Sequence, residues 1–104
     1  DNGDPDMEIW ITEMGWGAGP AQMFTYEEQA SYITQAYLIS SACRGFTYFD
    51  VYDGVCDGMV ETNREHNFGV IGNWLEQVPF APRKSYVAIA AMNLVIPENN
   101  EDMK

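Results

Sequence analysis

Positive charge is scarce in this chain: five lysines and arginines face 16 acidic residues, a formal net charge of −11 over 104 residues. Such a balance repels phosphate backbones and anionic membrane surfaces, so no nucleic-acid partner is expected; neutral or cationic ligands suit it better. Histidine occurs once, at His66, so any Ser-His or Cys-His pair within the chain must run through it. Long apolar runs are missing as well. None approaches the roughly 20 residues of a membrane span, and no membrane partner is expected. The opening Asp1-Asn2-Gly3-Asp4-Pro5-Asp6 is polar and acidic, which reads as a surface loop and not as a signal peptide.

Cysteine is limited to Cys43 and Cys56. They flank an apolar run that reads as a strand of about six residues, which rises about 20 Å. A disulfide needs Cα atoms within about 7 Å, so the two are not expected to pair with each other. Two thiols without neighbouring histidines also make a poor metal site.

What remains is the material of a folded chain. Apolar residues make up 46% and aromatic residues 13%, too many for a disordered segment, and the length suits one small domain. Glu8-Ile9-Trp10-Ile11-Thr12-Glu13 reads as a short buried strand, with Trp10 in the core. A glycine-rich loop follows over 14–24. Thr25-Tyr26-Glu27-Glu28 then has the capping-box spacing that opens a helix, expected to run to about Cys43. Ala30, Ile33, Ala36, Tyr37 and Ser40 fall on one helical face. Phe46-Thr47-Tyr48-Phe49-Asp50-Val51 reads as a second strand. A polar loop over 52–67 and an extended segment at 68–71 lead to a last helix over 83–95, with Tyr86, Ile89, Ala90 and Leu94 as its inner face. The tail is polar.

This order gives two consecutive βα units. Two parallel strands cannot cover both faces and both edges alone, so the expectation is part of a larger parallel α/β protein. Long loops after both strands put function at the strands' C-terminal ends.

Glu13 is the most informative residue. It ends a strand and runs straight into Met14-Gly15-Trp16-Gly17. A carboxylate fixed by a strand beside an aromatic ring is how sugar-cleaving barrels present a nucleophile; a solvated glutamate at a strand end is the plain alternative. Trp16, in the loop, suits sugar stacking. Tyr48 and Asp50 alternate onto one strand face near its end, as site residues or as a core tyrosine with a strand-end aspartate.

Competing chemistries fit less well. Gly15-Trp16-Gly17-Ala18-Gly19-Pro20 has proline where a dinucleotide fingerprint needs its last glycine, and the helix starts five residues too late. Asp50, Asp53 and Asp57 lack the alternating spacing of a calcium loop. No metal or cofactor is expected.

Ile9-Trp10-Ile11-Thr12-Glu13-Met14-Gly15-Trp16 resembles the strand-seven motif of clan A glycoside hydrolases, particularly family 39. Phe46-Thr47-Tyr48-Phe49-Asp50 resembles strand eight, and Glu28-Gln29-Ala30 with Tyr32 the start of helix seven. Glu65-His66-Asn67-Phe68-Gly69-Val70-Ile71 and Lys84-Ser85-Tyr86 are similar to the approach to the last helix and its start. The resemblance covers about residues 3–95, in order. It implies an α/β fold: the last two βα units, strands seven and eight, of a (β/α)₈ TIM barrel, not a complete domain alone. Residues 1–97 would be this C-terminal quarter and 98–104 a polar tail.

The resemblance further implies a retaining glycoside hydrolase of β-linked poly- or oligosaccharide, extracellular, with Glu13 as nucleophile. Trp16, Tyr48 and Asp50 would bind substrate. Two departures stand out. Tyr48 occupies the place where the family usually has Trp, and the acid/base Glu of an Asn-Glu pair on strand four has no counterpart here. Asn100-Glu101 lies in the tail. The remainder of the barrel is therefore an expected partner. The alternative is a non-catalytic glycosidase-like component, structural or carbohydrate-binding.

Overall fold

Apolar, β-branched and aromatic residues form two short strands, each delivered into a long connection and then a helix. The computed structural model describes residues 7–43 and 46–96, with 46–48 described by backbone alone. Strand β1 is Ile9–Met14, helix α1 Tyr26–Ala42, strand β2 Phe46–Val51 and helix α2 Lys84–Val95, with a 3-10 turn at Arg64–Asn67. The two strands pair in parallel. The expected tail, 98–104, lies outside the described residues.

The start of α1 is set by its first four residues. The Glu28 N–H donates to Thr25 Oγ1 at 3.1 Å, and the Thr25 N–H donates to Glu28 Oε1 at 3.0 Å, closing the capping box. Those backbone bonds from Thr25 hold the Glu28 carboxyl below its ordinary value. Helix α1 lies over β2 through Tyr37, whose ring centroid is 4.6 Å from that of Phe49. Ile33 is fully buried, as its place on the inner face requires.

Helix α2 lies beside α1, turned by one residue from the face expected. Ser85 is buried, and Ala88, Ile89 and Met92 are partly covered, whereas Tyr86, Ala90 and Leu94 are exposed, Leu94 to 89%. The reason is polar: the Ser85 hydroxyl seeks buried Gln29 of α1, and the Lys84 ammonium pairs with the Glu27 carboxylate. The latter pair holds Glu27 below its ordinary value.

The connection from β2 to α2 is knitted by its own backbone. Residues 53–56 pair with 68–71: Val70 N–H donates to Asp53 O and Cys56 N–H to Ile71 O, at 3.0 and 2.9 Å. Arg83 N–H returns to Val70 O at 2.9 Å. The extended segment expected at 68–71 is thus a bridge between β2's exit and α2's start.

The described residues bury little apolar material. Ala18, Ile33, Cys56 and Val70 are the buried apolar side chains, matched by four polar ones: Gln29, Asn67, Asn73 and Ser85. Trp10, expected in the core, is 56% exposed, and its indole N–H donates to the Glu8 carboxylate at 3.0 Å. Cys43 and Cys56 are free thiols, the first exposed and the second buried.

Candidate active site

The site begins with an irregularity in β1. Ile11 pairs with Phe49 and Met14 with Val51, so three steps on β1 match two on β2. Thr12 and Glu13 together stand opposite Asp50, which is a β-bulge. A bulge bends its strand and re-aims side chains. Here it lets Ile11 and Met14, three residues apart, both turn toward α1, where they line an apolar groove of about 360 Å³ with Trp16, Tyr32, Ala36 and Ile39.

Asp50 follows Phe49, which is committed to Tyr37 on α1, so regular alternation along β2 sets Asp50 on the other side of the sheet. Glu13 and Asp50 are both exposed. Two acidic residues thus lie at matching register near the C-terminal ends of adjacent parallel strands. Trp10 pairs with Tyr48 further down the same strands. The Tyr48 ring lies outside the described side chains.

Trp16 goes elsewhere. Its ring is half-buried in the groove on the α1 side, 5.7 Å from Tyr32, which also takes Phe24 edge-on at 5.7 Å. The register sets Glu13 and Asp50 opposite one another on neighbouring strands, while the Trp16 ring packs on Tyr32.

The loops that leave the strands run in contact. Tyr52 N–H donates to Met14 O at 2.9 Å, extending the pairing past the strands. A Cβ on Gly15 would lie 1.7 Å from Tyr52 O, so only glycine fits there. The phenol of Tyr52 is held above its ordinary value by partial desolvation and then by the carboxylates of Asp57, Asp53, Glu65 and Glu13. Glu13 thus belongs to an acidic rim around Tyr52, a residue its position in a loop did not single out. Tyr52 also packs on Phe68, at 5.3 Å between centroids.

His66 folds back on the loop before it. Its Nδ1 accepts from the Val60 N–H at 3.2 Å, which leaves the proton of the neutral ring on Nε2. Asn67 is buried; its side-chain amide donates to Asn63 O at 2.7 Å and Val60 O at 3.0 Å, while its backbone carbonyl accepts from Ala18 N–H at 3.0 Å. Among the described residues no cluster of His, Cys, Asp and Glu has the makings of a metal site. No described helix is long and apolar enough to cross a membrane.

Gln29 was not visible as a site-supporting residue from sequence. It is fully buried in the first turns of α1. Its amide donates to Trp16 O at 2.9 Å and Phe68 O at 3.2 Å, and its carbonyl accepts from Ser85 Oγ at 2.8 Å. The available signal was its position one turn before Ile33, on the same helical face.

The fold and site define a class: a parallel βαβα unit with acidic residues at matching register near the strands' C-terminal ends. The particular likeness is to a family 39 glycoside hydrolase from the gut symbiont Bacteroides cellulosilyticus WH2, a solved structure 32% identical to this chain with a TM-score of 0.68. The match covers 84% of this chain and 16% of that one. The chain therefore resembles a family 39 glycoside hydrolase over most of its length and spans about a sixth of that protein. No family model matches the chain, and no curated protein does.

Proposed function

We propose that this chain is strands seven and eight, with their helices, of a (β/α)₈ barrel in a retaining glycoside hydrolase of β-linked poly- or oligosaccharide. The observation that carries the reading is Glu13, an exposed carboxylate in a strand bulge opposite Asp50, within a segment 32% identical to a glycoside hydrolase.

In this reading Glu13 attacks the anomeric carbon, forming a glycosyl-enzyme ester as the leaving group departs. Water then cleaves that ester. The carboxyl group that protonates the leaving oxygen must stand about 5–5.5 Å from the nucleophile. It comes from the remainder of the barrel, the partner on which the open sheet face and the exposed side of α2 dock. Asp50 orients Glu13 or accepts a hydrogen bond from a sugar hydroxyl. Tyr48 lines the adjacent subsite, and the uncovered part of the Trp16 ring borders it. The working location is extracellular, where polysaccharide is met, and no metal or cofactor is needed.

Glu13→Gln in the full-length protein tests this. It removes the nucleophile while keeping shape, so turnover should fall by about 10³-fold or more with sugar binding retained. Near-normal turnover would remove Glu13 from the mechanism. A wild-type protein that binds oligosaccharide without ever cleaving it would identify a carbohydrate-binding component instead.

A further inference from the structure

Gln29 sits where four parts of the molecule converge. It is carried by α1, donates to the loop after β1 at Trp16 O and to the connection after β2 at Phe68 O, and accepts from Ser85 on α2. The orientation of its amide is forced: two carbonyl oxygens at 2.9 and 3.2 Å require the NH₂ group, which leaves the carbonyl for the hydroxyl of Ser85. Each polar atom of the side chain is thereby used, inside a residue with no solvent exposure.

The two loops it joins are the ones that frame Glu13. Trp16 is three residues beyond Glu13, with the close-approach Gly15 between them. Phe68 packs on Tyr52, whose N–H is bonded to Met14 O. A bulged strand end is a bent and locally unpaired stretch of backbone. Something must fix where it emerges, and here one amide ties both exits to the helical layer.

We propose that Gln29 is a positioning residue for Glu13, acting through the carbonyls of Trp16 and Phe68. This rests on the nucleophile reading above. Removing its donors leaves the Trp16 carbonyl oxygen without the amide and the Phe68 carbonyl with the Asp53 N–H alone, at 3.3 Å, and loosens the tie between the two loops. Glu13 then shifts relative to the sugar, and a misplacement of about 1 Å costs roughly 10²-fold in rate.

The test uses the full-length protein with Gln29→Met, which keeps volume and loses all three bonds, and Gln29→Asn, which keeps the amide but shortens its reach. Glu13→Gln is run in parallel. Each variant is assayed for kcat and KM on a panel of 4-nitrophenyl β-glycosides. The rate of covalent trapping by 2-deoxy-2-fluoro β-glycosides is measured per folded molecule. The expected result is a kcat and a trapping rate lowered by about 10–10²-fold with KM changed less than about threefold, Gln29→Asn being the milder. A role in stability alone would lower the folded fraction and leave trapping per folded molecule at the wild-type rate, which overturns the inference. If Gln29→Met does not fold, Gln29→Asn decides between the same two outcomes. Failure of the underlying reading shows separately, as activity surviving in Glu13→Gln.

Discussion

At the scale of single residues, backbone approach and side-chain chemistry combine around Glu13. Gly15 touches the Tyr52 carbonyl so closely that any side chain must push the two loops apart. Gly15→Ala is predicted to destabilise the full-length protein by about 1–3 kcal/mol or more, measured by denaturant unfolding, and to lower kcat through the same displacement. An alanine variant of wild-type stability would mean the loops yield easily and the site is less fixed than the contact implies. Glu13 and Asp50 were legible as candidates because each lies one residue before the end of an apolar strand. Gln29 was not, since a glutamine between Glu28 and Ala30 looks like a solvated helix position until its place above Ile33 is noticed. Trp16 is the instructive case: a loop tryptophan beside a carboxylate suggests a sugar platform, and what its sequence position did not show is that part of the ring is taken up by Tyr32 of α1.

At the scale of elements, α1 depends on its cap. Thr25→Ala should cost about 1 kcal/mol of stability, read from denaturant midpoints. The Glu28 half of the cap is pH-dependent. Its folded-state value lies below the ordinary one, so the contribution is present above the unfolded value and is lost as pH falls through the folded one. The Thr25→Ala difference should therefore shrink on moving from neutral pH to below the ordinary glutamate range; a constant difference would mean the carboxylate plays no part. The cap, both strands and both helices were readable, because capping chemistry and apolar period are local. The bulge at Thr12-Glu13 was not, since register exists only between two strands. Nor was the rotation of α2, whose apolar residues fill several faces and whose contact is chosen by Ser85 meeting Gln29.

At the scale of the molecule, the buried set among the described residues, four apolar and four polar side chains, is small for the apolar surface left outside. Val87, Leu94 and Val95 on α2, Ile39 on α1 and Trp10 on β1 all meet solvent. Exposed apolar area of this kind marks surfaces meant for other elements. The isolated chain is predicted to bind a hydrophobic dye and to unfold without a sharp transition, while the same residues in the full-length protein melt with the remainder in one calorimetric peak. A sharp, dye-free transition of the chain alone would contradict the barrel assignment. The central claim remains the nucleophile. Full-length protein inactivated with a 2-deoxy-2-fluoro β-glycoside, then digested and mapped by mass spectrometry, should carry the sugar on Glu13. A label on another carboxylate, or continued turnover with no label and inverted product, would contradict it.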